Sequence, residues 1–65
     1  MPPAPPATTA IAALIEAAVA HAATLRGHAQ ADASDEGARV TEAEAARWQA
    51  MADAAKIELA AFHAR

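Results

Sequence analysis

Three side chains, His21, His28 and Asp32, have the types and the spacing that metal binding would need. Imidazole and carboxylate groups are common ligands of zinc and other transition metals. On one continuous helix, all three side chains would project within about 40° of one another. However, His21 and His28 would lie about 10 Å apart along the helix axis, which is too far for both to bind one ion.

His28 and Asp32 are one helical turn apart, so this pair needs further ligands from another helix or chain. An antiparallel second helix would bring the region of Ala46 beside His28, and that region offers only Glu44 and Gln49 as weak candidates. The sequence also lacks the Glu-x-x-His motif of carboxylate metal sites in helical bundles. We therefore predict no bound metal and no cofactor, and we expect the histidines to be partly exposed.

The patterns that indicate catalysis are also missing from the sequence. The chain has no cysteine or tyrosine, and its one serine, Ser34, lies in an acidic segment with no histidine placed to activate it. Gly27 and Gly37 are isolated, so there is no glycine-rich phosphate loop. A hairpin of this length is expected to enclose no pocket of the ~300 Å³ that ligands usually need. We therefore predict that the protein is not an enzyme.

The first helix that positions these side chains is predicted over about residues 9–33. From Ile11 onward, the apolar residues recur on one stripe at about 100° per residue. Thr8 or Thr9 is the expected N-cap. We expect the helix to continue through Gly27, because a glycine inside a helix costs only about 1 kcal/mol. A helix ending there would leave a connection of about 14 residues, which is unusual in a compact domain.

A second helix is predicted over about residues 41–64, after a turn at residues 34–40. Thr41 is the expected N-cap, and Glu44 lies three residues later, so the two form a capping box. Ile57 lies nearly opposite the main apolar stripe of this helix. Apolar surface on two sides is typical of a helix with more than one neighbour.

The segment before the first helix, residues 1–7, contains all four prolines of the chain. This composition favours an extended polyproline conformation. We predict a stiff, disordered leader in preference to a ligand for a proline-binding groove, because no flanking specificity residue accompanies the prolines.

Alanine accounts for 24 of the 65 residues, so large apolar side chains are few. Domains of this size usually need disulfides, metal or oligomerisation, and the absence of cysteine excludes disulfides. The predicted fold is therefore all-α, an antiparallel two-helix hairpin that assembles into a dimeric four-helix bundle. The predicted oligomer core comprises Ile11, Leu14, Ile15, Leu25, Trp48, Met51, Leu59 and Phe62. The possible face for another protein comprises Ile57, His21 and His28.

The charge balance limits the classes of partner. Five basic residues against eight acidic ones give a formal charge of −3, which disfavours nucleic acid and anionic membranes. A membrane span is not expected, because Glu16 interrupts the most apolar run. The N-terminus has no basic region of the kind that begins a secretory signal. These features, with the lack of cysteine, predict a cytoplasmic protein.

The functional prediction is a small non-enzymatic protein–protein interaction module, a regulator, inhibitor or adaptor acting as a homo-oligomeric hairpin. Its expected partners are a second copy of itself and another protein. One alternative is a structural or assembly subunit of a larger complex. Another is a weak nucleic-acid-binding regulator, although the cations do not cluster on one helix face.

Overall fold

The computed structural model describes residues 6–64, which form two helices. Helix α1 spans Pro6–Ala31 and helix α2 spans Asp35–His63. The two helices pack against each other as an antiparallel hairpin with extents of 52 × 16 × 12 Å. The predicted all-α helical hairpin is therefore confirmed.

Helix α1 begins earlier than the sequence pattern predicts. Thr8 and Thr9, the expected N-caps, lie inside the helix, which starts at Pro6. Proline is well suited to a first helical turn, because its backbone dihedral is already helical and its missing N–H has no partner to lose there. The predicted leader, residues 1–7, lies outside the described residues except for Pro6 and Ala7, which are helical.

Helix α1 continues without a break through Gly27 and ends at Ala31, two residues before the predicted end. A β-carbon at Gly27 would meet nothing within 4 Å, so packing does not require glycine at this position. The Asp32 amide donates to the Ala29 carbonyl at 3.2 Å and extends the final turn.

Helix α2 begins at Asp35, six residues before the predicted start. Ser34 is its N-cap, and the Ser34 hydroxyl accepts a hydrogen bond from the Gly37 amide at 3.2 Å. Asp35 and Glu36 place negative charge in the first turn, where the helix dipole stabilises it. The predicted turn at residues 34–40 is therefore wrong, because an earlier cap is available and each residue after it adds a helical hydrogen bond.

The predicted capping box at Thr41 and Glu44 is wrong for the same reason. Thr41 lies within α2, and its hydroxyl donates to the Gly37 carbonyl at 3.0 Å. This bond to the preceding turn is typical of a threonine inside a helix. Glu44 instead pairs with Arg47 at 3.5 Å on the helix surface.

The short turn depends on a close approach between Asp32 and Gly37. The Asp32 carboxylate accepts a hydrogen bond from the Ser34 amide at 2.8 Å. A β-carbon at Gly37 would lie only 2.5 Å from Oδ2 of Asp32. The absence of a side chain at Gly37 therefore lets the carboxylate lie over the first turn of α2.

The contact between the helices is built mainly from alanine. The buried positions of α1 recur every seven residues, as do those of α2, which is the repeat of a coiled coil. They are Thr8, Ile15, Ala22 and Ala29 in α1, and Ala45 and Ala52 in α2. Such small residues allow closer helix packing than large ones. The hairpin core is consequently narrow, and Ile15 is its only large buried side chain among residues 7–64.

Much of the apolar surface of α1 remains uncovered in the single chain. Over Ala7–Ala31 this helix is long and apolar enough to cross a membrane, with a mean hydropathy of 1.5 in its most apolar window, of which 17% is buried. Core helices and N-terminal signal sequences share these properties, so length and composition alone do not establish a location.

Candidate docking face

Several large apolar side chains of both helices lie on one side of the hairpin. At about 100° per residue, Leu14 and His21 lie on the same side of the buried stripe of α1. Trp48 and Met51 share one side of α2 in the same way. The His21 and Trp48 rings are in contact, so these two sides adjoin. We call this surface the apolar face, and it comprises Ile11, Leu14, Ala18, His21, Leu25, Trp48, Met51, Ala55 and Phe62.

The apolar face is open to solvent in the single chain. Leu14 is 69% exposed, Met51 is 56% exposed and Phe62 is 51% exposed, while Ile11 is 42% exposed. Single exposed apolar residues are ordinary, but a contiguous group of large ones usually marks a contact site. All four belong to the predicted oligomer core, a prediction that concerns the assembly and that a single chain does not test.

The other four predicted core residues lie in or beside the contact between the helices. Ile15 is buried, and Leu25, Trp48 and Leu59 are half-buried. The predicted set therefore divides between the hairpin contact and the apolar face. The predicted set omits the alanines that fill most of the hairpin contact, although Ala22, Ala29 and Ala52 lie on the apolar stripes of the two helices.

A groove opens on the apolar face near the start of α1 and the end of α2. Its volume is about 460 Å³. Its lining residues are Ala7, Thr8, Ile11, Ala55, Glu58, Leu59 and Phe62. The small residues of α1 here do not fill the space beside Leu59 and Phe62, but this space is a groove and not an enclosed pocket of ~300 Å³ or more. The groove is open along the face and does not enclose a ligand.

A pair of aromatic rings bridges the two helices near the middle of the same face. The ring centroids of His21 and Trp48 lie 5.0 Å apart, and the ring planes meet at 86°. This edge-to-face geometry is favourable by about 0.5–1.5 kcal/mol beyond burial. Because the two rings come from different helices, the pair spans the space between α1 and α2. We call the pair the aromatic ridge.

A polar network lies on the opposite side of the hairpin. Arg26 donates to Gln49 Oε1 at 3.5 Å, and Gln49 Nε2 donates to Asp53 Oδ1 at 3.0 Å. Lys56 lies 4.0 Å from the same Asp53 oxygen. We call this side the polar flank. Three cations among the described residues therefore have polar neighbours. Arg26 contacts Gln49 and Lys56 contacts Asp53, while Arg47 pairs separately with Glu44.

The residues predicted as a partner face do not form one surface. His21 belongs to the aromatic ridge, and His28 follows it two turns later along α1. Ile57 is nine residues from Trp48, or half a revolution away on α2, so it projects toward the opposite side. It is 71% exposed. The angular positions of residues around α2 do not by themselves show which side of α2 packs against α1.

The possible metal-ligating side chains of the described residues are not grouped together. Among residues 6–64, no three His, Cys, Asp or Glu side chains are grouped so that they could hold a metal ion. Asp32, the carboxylate considered with His28, is directed to the start of α2, where it accepts from the Ser34 amide. What the geometry does provide is an apolar face with a groove and a pair of aromatic rings in contact.

Comparison of the chain with protein-family models, with curated proteins and with solved structures finds no match.

Proposed function

We propose that the protein is a small non-enzymatic protein–protein interaction module, a regulator, inhibitor or adaptor that acts as a homo-oligomeric hairpin. Two copies would pack apolar face against apolar face and form a dimeric four-helix bundle. The observation that carries this proposal is the apolar face itself, on which Ile11, Leu14, Met51 and Phe62 are each 42–69% exposed.

The narrow alanine core leaves several large apolar side chains uncovered in the single chain. Full burial of a large apolar side chain is worth roughly 1.5–3 kcal/mol, so covering the exposed half of each adds about 1 kcal/mol. Covering the four exposed side chains would contribute roughly 3–6 kcal/mol per chain. For a small domain, that gain is a large part of the usual net stability of 5–15 kcal/mol. Self-association thus supplies what disulfides would supply in other small domains.

The first test is sedimentation equilibrium combined with circular dichroism on the same samples. We expect a helical dimer whose melting temperature rises with protein concentration, because association stabilises only the folded chain. A chain that stays monomeric at all concentrations would refute self-association.

A matched pair of variants tests which surface forms the contact. Leu14→Gln and Ile57→Gln both remove a four-carbon aliphatic side chain at nearly equal exposure, 69% and 71%. Leu14 lies on the apolar face, whereas Ile57 lies opposite Trp48. We expect Leu14→Gln to weaken dimerisation about tenfold or more, equal to about 1.4 kcal/mol. Ile57→Gln should leave the dissociation constant unchanged, and the reverse pattern would exclude the apolar face as the interface.

A second candidate function is a structural subunit that folds fully only against other chains. The small buried core favours it, because Ile15 is the only large side chain that the described hairpin buries by itself. A purified chain without helical signal would support this candidate over the homodimer. A stable, concentration-dependent helical dimer would count against it.

A further inference from the structure

We infer that the second copy docks antiparallel to the first, with the two turns at opposite ends of the bundle. The two-fold axis crosses the apolar face close to Ile15 and Ala55. This inference rests on the self-association proposed above and adds the arrangement of the two copies. Its basis is the shape of the apolar face, which carries one ridge and one groove at different heights.

The ridge and the groove are separated along the hairpin axis. The aromatic ridge lies at Trp48 on α2, and the groove is lined by Leu59 and Phe62 on the same helix. The separation is 11–14 residues, or about 17–21 Å at 1.5 Å per residue. On α1 the ridge lies at His21 and the groove at Ile11, in the opposite order along the chain.

A two-fold axis midway between the two features makes the face complementary to itself. In a two-fold interface, each contact occurs twice with the roles of the copies exchanged. An axis that crosses the face at Ile15 and Ala55 places each aromatic ridge over the groove of the other copy. The groove, at about 460 Å³, has room for a large side chain from the partner. Leu14 then lies close to its own symmetry mate.

The alternative arrangement, with both turns at one end, fits the surface poorly. It would place ridge against ridge and groove against groove. The rings of one copy would lie against the rings of the other, and the two facing grooves would leave unfilled volume between the copies. Protein interiors are closely packed, and cavities in them are destabilising.

Charge favours the same antiparallel arrangement. Asp32, Asp35 and Glu36 lie together at the turn end of the hairpin. With an axis near Ile15, the turn ends of the two copies extend beyond the overlap and remain in solvent, far from each other. With both turns at one end, these six carboxylates would lie within range of mutual repulsion.

The experiment measures one distance between two copies. The chain contains no cysteine, so Ala33→Cys carries a single nitroxide label per chain in the turn. Ala33 is 18 residues beyond Ile15, so the inferred dimer places the two labels about 54 Å apart along the bundle at 1.5 Å per residue. Turns at one end would give a distance below about 20 Å, set by the 8–10 Å between neighbouring helices.

Each outcome of the distance measurement has a defined meaning. A distribution centred near 50–55 Å supports the inference. One near 40 Å would mean full overlap about the hairpin centre, and would overturn the ridge-in-groove register. A distance below 20 Å would overturn the antiparallel arrangement while leaving self-association intact. If the labelled chain and the unlabelled chain are both monomeric by sedimentation, the result would overturn the proposed function as well as the inferred arrangement.

Cross-linking provides a second readout with a matched control. Ala55→Cys and Leu14→Cys lie close to the inferred axis, so each should form a disulfide-linked dimer with its own mate under mild oxidation. Phe62→Cys lies on the same apolar face but about seven residues from the axis, which leaves the two sulfurs roughly 20 Å apart. Efficient cross-linking of Phe62→Cys with none of Ala55→Cys would contradict the inferred axis.

Discussion

Gly27 and Gly37 both lie inside helices, but a methyl group added to each would meet different surroundings. A β-carbon at Gly27 meets nothing within 4 Å. A β-carbon at Gly37 would lie 2.5 Å from Oδ2 of Asp32 and 3.1 Å from its Cγ. Neither glycine has a positive φ, so alanine introduces no backbone strain at either position. Replacing each by alanine therefore isolates the effect of the Asp32 carboxylate.

The expected magnitudes follow from two opposing effects. Alanine is about 1 kcal/mol more favourable than glycine inside a helix, so Gly27→Ala should stabilise the protein by about that amount. Gly37→Ala has the same helical gain at most, but it displaces the Asp32 carboxylate from its 2.8 Å bond with the Ser34 amide. Such a bond contributes about 0.5–1.5 kcal/mol. We therefore expect Gly37→Ala to change the stability by close to zero.

Thermal unfolding followed by circular dichroism, at one fixed protein concentration, measures both effects. A difference of 1 kcal/mol corresponds to about 4–8 °C for a domain of this size. In an Asp32→Ala background the obstacle is absent, so Gly37→Ala should recover most of the helical gain, with a coupling of about 1 kcal/mol between the two positions. Equal stabilisation by Gly27→Ala and Gly37→Ala in the original background would refute the reasoning.

Three further predictions concern the helix cap, the alanine contact and the aromatic ridge. Ser34→Ala should destabilise the protein by about 1 kcal/mol, whereas Thr41→Ala should cost little or stabilise, because Ser34 caps α2 and Thr41 lies within it. Ala52→Leu should destabilise the hairpin by about 1–3 kcal/mol, because Ala52 is 2% exposed where the helices meet. Trp48→Ala should cost about 3 kcal/mol or more, and His21→Ala only about 0.5–1.5 kcal/mol, since His21 loses chiefly the ring contact.

Chemical denaturation at fixed concentration measures all of these variants, with a control for each comparison. Ser34→Asp retains a capping oxygen and should keep the stability that Ser34→Ala loses. Ala54→Leu places the same added side chain on an exposed position two residues from Ala52, and should be nearly neutral. A larger loss of stability from Thr41→Ala than from Ser34→Ala would indicate that Thr41, and not Ser34, is the N-cap of α2. A fully stable Trp48→Ala would mean that the indole contributes only to external contacts.

The class of fold was predictable from local features of the sequence. Apolar residues at helical spacing, abundant alanine and a short polar interval predict two helices that fold back on each other, and the structure has this arrangement. The start of α2 was not predictable in this way, because Ser34 and Thr41 are both good caps. The helix begins after Ser34, which caps the Gly37 amide. This earlier start is sterically possible because Gly37 has no side chain to collide with the Asp32 carboxylate.

The residues of the candidate docking face were predictable as a group, but their division was not. The stripe on α1 contains Leu14 and Ile15 as neighbours on one surface, yet only Ile15 is buried in the hairpin. A hairpin contact uses a narrow strip of each helix, and small residues decide where the helix axes approach most closely. The alanines at positions 22, 29, 45 and 52 therefore occupy the contact, and the larger side chains are left beside it.

The sequence by itself determined that the chain is helical, that it folds back once and that it has too few large side chains for a wide core. Those properties depend on composition and on spacing along one helix, which the sequence records directly. The tertiary structure decided which sides of the two helices adjoin, and so brought His21 to Trp48 and left Ile57 on the other side. Helical spacing specifies directions only around each helix's own axis. The rotation of one helix against the other is set by how their side chains pack.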